Sequence, residues 1–120
     1  MTSLNTFGAI MTFAIDLESR LHDFYKQAGN GERAREADKR RSKMERVRRE
    51  SVLEITLEAI DGLSQDNYDL DLNDISVVGQ QAAEKAAARF YTDVAPKINV
   101  REAQRALEKA GKEHAALSGA

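Results

Sequence analysis

The chain has 120 residues, of which 42% are hydrophobic and 32% charged, a balance that predicts one folded domain over residues 1–120 and excludes a disordered chain. It contains no cysteine, which excludes disulfide bonds, thiolate metal sites, iron–sulfur clusters and a cysteine nucleophile. The formal net charge of −2 indicates no particular partner. Since the apolar stretch 7–17 is too short to cross a bilayer and follows no basic region, we expect a cytoplasmic protein without membrane contact.

The first part of the chain has the pattern of two helices joined by a tight turn. Apolar residues recur every three or four positions up to Ala28, which predicts a helix that begins at about residue 3 or 5. Glycine and asparagine at residues 29–31 tolerate the conformation that ends a helix. A second helix is predicted over residues 32–60, with an apolar stripe that is weak at first and stronger later.

The second part repeats this plan after a link rich in turn residues. Residues 63–73 show no helical periodicity. A third helix is predicted over residues 75–95, with Asp74 as its N-cap. A capping-box pattern at residues 99–102 starts a fourth helix, which we expect to extend to about Leu117.

The order of these elements predicts an all-α fold. Short turns favour antiparallel hairpins, one over residues 3–62 and one over residues 74–118. The 11-residue link between them can span ~36 Å, about the length of a 24-residue helix, so the chain can return along the bundle. We therefore expect a four-helix bundle of two similar hairpins joined by a crossover link.

The two hairpins also share a sequence motif. ESRLHDFY at residues 18–25 matches EKAAARFY at residues 84–91, and EADKRRSKMERV at residues 36–47 then aligns with ALEKAGKEHAAL at residues 106–117. Glu18 lies on the apolar stripe of the first helix, so its carboxylate is expected to point into the core. A buried carboxylate must be paired or neutralised.

A duplicated hairpin with this motif resembles the rubrerythrin branch of the ferritin-like superfamily. The resemblance implies a bundle in which each hairpin supplies one glutamate from its first helix and a Glu-x-x-His from its second. Together these residues hold two iron or manganese ions.

Only half of the ligand positions implied by this resemblance keep a ligand. Glycine has no side chain, methionine is a soft ligand and arginine is cationic, so none of them suits a hard divalent ion. The retained positions are Glu18, Glu84 and His114, and the replaced positions are Arg41, Met44 and Gly111. We therefore expect a degenerate di-metal site with no cofactor.

Arg41 suggests what replaces the metal. Two inward carboxylates, Glu18 and Glu84, repel each other and need positive charge, which one guanidinium can supply through charge-assisted hydrogen bonds. We expect Arg41 to be this internal counter-charge.

Two observations support other interpretations. Glu18, Glu84 and His114 could form a partial iron or manganese site, although a histidine near a C-terminus is more often solvated, and His22 lies where it could pair with Glu18. The segment 33–49 carries nine Lys/Arg against three acids and could bind a polyanion or nucleic acid. Its charge could equally be satisfied by the eight acids of residues 50–80, within the chain or across a dimer.

The sequence contains no phosphate-binding glycine loop and no recognisable catalytic constellation. The function that it favours is therefore a non-enzymatic, metal-free structural or protein-interaction module that acts as a homodimer.

Overall fold

The computed structural model describes residues 4, 6–51, 68–98 and 100–118. In this part of the chain the regular secondary structure is helical throughout. The four helices are α1 (Phe7–Gln27), α2 (Gly31–Ser51), α3 (Val77–Val94) and α4 (Arg101–Leu117), and a 3-10 turn (Ala95–Lys97) follows α3. The all-α prediction is confirmed, and four helices are compatible with a four-helix bundle. The predicted second-helix residues 52–60 and the link residues 63–67 lie outside the described residues.

Local side chains account for the first helix boundaries. The hydroxyl of Thr6 accepts a hydrogen bond from the backbone N–H of Ala9 at 3.0 Å and caps α1, which therefore begins later than predicted. Gly29, with φ of 77°, adopts the left-handed conformation that ends the helix, as the pattern indicates. Asn30 then accepts from the backbone N–H of Arg33 at 3.2 Å and starts α2.

The start of α3 differs from the prediction. Asp74 is not the N-cap; its carboxylate accepts from the backbone N–H of Ser76 at 2.9 Å in the preceding turn. The cap is Ser76, whose hydroxyl accepts from the N–H of Gly79 at 3.3 Å. A Cβ atom on Gly79 would overlap the backbone carbonyl of Asp74, so only glycine fits this turn. At α4 the N-cap is Val100, without a side-chain cap, and Asn99 lies outside the described residues.

Each hairpin packs along its length, α1 on α2 and α3 on α4, and α2 also contacts α4. Aromatic rings join the two hairpins: Phe13 of α1 lies 4.7 Å from Phe90 of α3 between ring centroids, and Tyr68 packs edge-on against both. None of the described helices is long and apolar enough to cross a bilayer.

A buried charge network as the candidate functional site

Four ionisable side chains, one from each helix, meet in the core. Glu18 of α1, Glu84 of α3 and His114 of α4 have no solvent exposure, and Arg40 of α2 is 6% exposed. Each lies three or four residues from apolar neighbours on its helix, so the stripe that buries the apolar side chains also directs these polar ones inward.

The carboxylate of Glu18 is fully hydrogen-bonded by the protein. Its Oε1 accepts from Nε of Arg40 at 2.9 Å. Its Oε2 accepts from the hydroxyl of Tyr91 at 2.6 Å and faces Nε2 of His114 at 2.8 Å. Both oxygens of this buried anion therefore have charged or polar donors, as burial requires.

The carboxylate of Glu84 is satisfied in the same way. Its Oε1 accepts from the hydroxyl of Tyr25, and its Oε2 faces Nδ1 of His114. Tyr25 belongs to the first repeat and bonds the glutamate of the second, whereas Tyr91 belongs to the second and bonds the glutamate of the first. This reciprocal pairing gives the repeated Glu-x5-Phe-Tyr motif a structural role, because each tyrosine joins its own hairpin to the other.

His114 bridges the two carboxylates. Both of its ring nitrogens face a carboxylate oxygen, and a carboxylate can only accept, so both nitrogens must donate and the ring is an imidazolium. Burial alone would lower the pKa of His114, but hydrogen bonds and attraction from Glu18 and Glu84 outweigh it and raise that pKa from 6.5 to about 9. The ring also stacks on Tyr91, with centroids 5.6 Å apart and planes inclined by 6°.

The electrostatics of the cluster are balanced. Burial alone would raise the pKa of Glu18, but attraction to His114 and Arg40, with hydrogen bonds from His114 and Tyr91, lowers it. Burial, and then proximity to Glu18, raises the pKa of Tyr91, so this tyrosine stays a neutral donor. Two carboxylates, one imidazolium and one guanidinium sum to zero charge within the core.

The arginine of this network is Arg40, so the prediction for Arg41 is wrong by one residue. Arg41 lies on the surface, where its guanidinium bonds Asp38 at 2.7 Å and also pairs with Glu45. The apolar stripe of α2 places positions 40 and 41 on either side of its centre, because successive residues are 100° apart. The acids three before and four after Arg41 hold it outside and leave position 40 for the core.

The other residues predicted for the site lie in different environments. Met44 is buried and lies on the same stripe as Arg40. Gly111 is buried where α3 and α4 approach closely, and a Cβ atom there would lie 3.0 Å from Cβ of Tyr91, so a glutamate at this position would push the two helices apart. His114 is a core residue rather than a solvated one. His22 bonds Asp23 at 3.1 Å instead of Glu18.

The side chains at the predicted ligand positions do not suit two metal ions. The oxygens of Glu18 and Glu84 that would ligate metal are bonded to protein donors, and Arg40 places a permanent cation beside them. Met44 and Gly111 offer no hard ligand. Among the residues that the structure describes, no group of three or more His, Asp or Glu is arranged to hold a metal ion.

The sequence pattern predicts the two inward glutamates but not three other members of the network. These are Arg40, whose neighbour Arg41 fits the same stripe, and the donors Tyr25 and Tyr91. The equal spacing from glutamate to tyrosine in both repeats was the available signal, because seven residues are two helical turns and place both side chains on one face.

The basic segment 33–49 is divided between different environments. Arg40 is internal, Arg41 is paired with acids, and Arg33 lies over the ring of Tyr25, 5.6 Å from its centroid. The segment is therefore less available to a polyanion than its composition suggests.

No family model, curated protein or solved structure matches this chain.

Proposed function

We propose that this chain is a non-enzymatic, metal-free helical protein of the ferritin-like type, degenerate at its di-metal site, that serves as a structural or protein-interaction module. The observation that carries the proposal is the cluster in which Arg40 and His114 neutralise Glu18 and Glu84. In the rubrerythrin-like arrangement the metal ions would supply that positive charge; here two side chains of the chain supply it. The duplicated hairpins, with one inward glutamate in each, support the structural relationship.

The closed geometry of the cluster argues against catalysis at this place. A substrate would have to reach carboxylates without solvent exposure, whose oxygens are already hydrogen-bonded. The hydrogen bonds join all four helices, so the cluster specifies how the helices pack. Desolvation offsets much of the attraction within a buried ion network, so we expect this one to specify the arrangement of the helices more than to raise net stability.

One observation favours a second candidate, a partial iron or manganese site. His114 lies within hydrogen-bonding distance of both Glu18 and Glu84, one at each ring nitrogen, so the loss of an imidazole proton would leave a nitrogen and the carboxylate that it faces as ligands. The metal would compete with that proton and with Arg40.

Metal content distinguishes the two candidates. The purified protein is loaded with Fe(II) or Mn(II), desalted and analysed by mass spectrometry of the metals, with Glu84→Gln in parallel. Our proposal predicts a near-zero metal content in both proteins. Stoichiometric metal in the wild type that is lost in Glu84→Gln would replace the proposal with the partial-site function.

For the partner we propose a second copy of this chain. Three large apolar side chains at the start of α3 are exposed: Ile75 by 47%, Val77 by 68% and Val78 by 72%. Three exposed acids precede them in the chain, Asp69, Asp71 and Asp74. Within the part of the chain that the structure describes, these acids form no ion pair with the basic segment. The acids beside this apolar patch on one copy complement the basic α2 of another copy. Charge attraction therefore favours a contact that also covers the patch.

Sedimentation velocity tests this partner directly. We expect the wild type to sediment as a dimer at micromolar concentration and Val78→Asp to sediment as a monomer, because the new charge would be buried in the contact. Thr12→Asp places the same charge on an exposed position of α1 and should leave the dimer unchanged. A monomeric wild type would refute the homodimer.

A further inference from the structure

A groove between α2 and α4 has the properties of a small-molecule site. It has a volume of about 470 Å³, within the ~300–1,000 Å³ typical of ligand pockets. Its apolar lining comes from Met44 of α2 and from Ala106 and Ala110 of α4, all buried. Because these side chains expose little surface, the charged side chains around them dominate what the groove can bind.

The walls of the groove are strongly cationic. Five Lys or Arg side chains and two Glu side chains line it: Lys39, Arg40, Lys43, Arg46, Lys109, Glu36 and Glu113. Two of the cations have acidic neighbours on α2, since Lys39 lies 3.8 Å from Glu36 and Arg46 lies 4.0 Å from Glu50. Lys43 and Lys109 form no ion pair with any described residue. The net charge of the lining favours an anionic ligand.

Arg40 connects this groove to the core. Its Nε bonds Glu18 and its Nη1 bonds Glu113 at 3.1 Å, but its Nη2 is buried with no hydrogen-bond partner among the described residues. A buried charged donor without an acceptor is costly. Glu113 is about one third exposed at the edge of the groove, and it holds the Nη1 that adjoins this unpaired nitrogen.

We propose that the groove binds a small molecule that carries a phosphate group. The phosphate would accept from the Nη1–Nη2 edge of Arg40, because a guanidinium matches two oxygens of an oxyanion, and Lys43 and Lys109 would neutralise its second charge. Glu113 competes for the same edge and weakens binding when its carboxylate is in place. The site shares Arg40 with the buried charge network and the basic α2 with the proposed dimer contact, but its affinity for phosphate is inferred from the lining of the groove alone.

The shape of the groove favours a single phosphate group over a nucleic-acid strand. Arg40, its central donor, lies 94% buried between two helices, where a head group fits and a continuous backbone does not. A strand would also need a row of exposed cations, and Arg41 in that row is held by Asp38 and Glu45. The observations therefore favour a discrete ligand.

Inorganic phosphate is the probe, titrated into the full chain at low ionic strength and followed by amide NMR shifts. Saturable binding with shifts in α2 and α4 around the groove is expected. Lys43→Met should weaken binding about three- to tenfold, and Glu113→Gln should tighten it by a similar factor, as expected for one partly screened charge. Lys85→Met, on the exposed surface of α3, is the matched control and should leave the affinity unchanged.

Three outcomes would overturn the proposal: shifts that do not saturate, shifts that map away from the groove, or a loss in Lys85→Met equal to that in Lys43→Met. Tight binding of an oligonucleotide by a protein that ignores phosphate would also overturn it, in favour of a polyanion surface on α2. Because Glu113→Gln is expected to tighten phosphate binding, a misfolded variant cannot imitate the expected result.

Discussion

The bridging role of His114 predicts a loss of stability in mild alkali. The pKa of His114 is 6.5 in its ordinary state and about 9 in the fold, because Glu18 and Glu84 hold its proton. At ~1.36 kcal/mol for each unit of pKa, this difference corresponds to about 3 kcal/mol of stabilisation. Because the folded value is the higher one, the stabilisation is complete below pH 6.5 and is lost as the pH rises through about 9.

Urea unfolding followed by circular dichroism between pH 6 and 10 measures this loss. The comparison variant carries both Glu84→Gln and His114→Gln, which removes one negative and one positive charge and leaves the core balanced. His114→Gln alone is unsuitable, because a carboxylate stripped of its partner would take up a proton and titrate in the same range. His22→Gln, at a partly exposed position, controls for histidine titration outside the core.

We expect the wild type and His22→Gln to lose about 3 kcal/mol over this interval and the double variant to lose much less. Parallel losses in all three proteins would refute the reasoning, since the alkaline instability would then arise elsewhere.

At acid pH the dependence of stability on pH has the opposite sign. Glu18 has a lowered pKa, so its stabilisation is present above pH 4.5 and disappears as the pH falls through its folded value.

Two further predictions each compare the same type of substitution at two positions. Arg40→Met should destabilise the fold by ~3–5 kcal/mol, because it leaves a buried carboxylate without its cation, whereas Arg41→Met should cost less than ~1 kcal/mol. Urea midpoints of the two variants decide this, and equal costs would mean that Arg40 is not internal. Gly79→Ala should lose ~1–3 kcal/mol through its clash with a backbone carbonyl, while Gly8→Ala, with open space around it in α1, should gain up to ~1 kcal/mol. Thermal unfolding compares them, and a stabilised Gly79→Ala would contradict the packing at the start of α3.

The helices and the inward glutamates could be predicted from the sequence because both depend on periodicity within a single helix. Glu18 shares a stripe with apolar residues, so its direction follows from helical geometry. The crossed bonds from Tyr25 to Glu84 and from Tyr91 to Glu18 depend on how different helices pack, which the spacing within one helix does not specify.

The choice between Arg40 and Arg41 depends on a physical factor beyond helical periodicity. Periodicity places the two residues equally well, and the difference lies in their local partners. Asp38 and Glu45 surround Arg41 on the outer surface of α2, so the cost of desolvating a paired guanidinium keeps it there. Counting acids three and four residues away would have selected Arg40.

The protonation state of His114 tests the central claim most directly, because the claim is that the His114 imidazolium and the Arg40 guanidinium neutralise Glu18 and Glu84 in the core. A His22→Gln protein labelled with nitrogen-15 in histidine, and treated with chelator, leaves His114 as its one histidine signal. We predict that both ring nitrogens carry protons at pH 7 and lose the imidazolium signature only at about pH 9. A neutral ring with one protonated nitrogen at pH 7 would contradict the charge network on which the account depends.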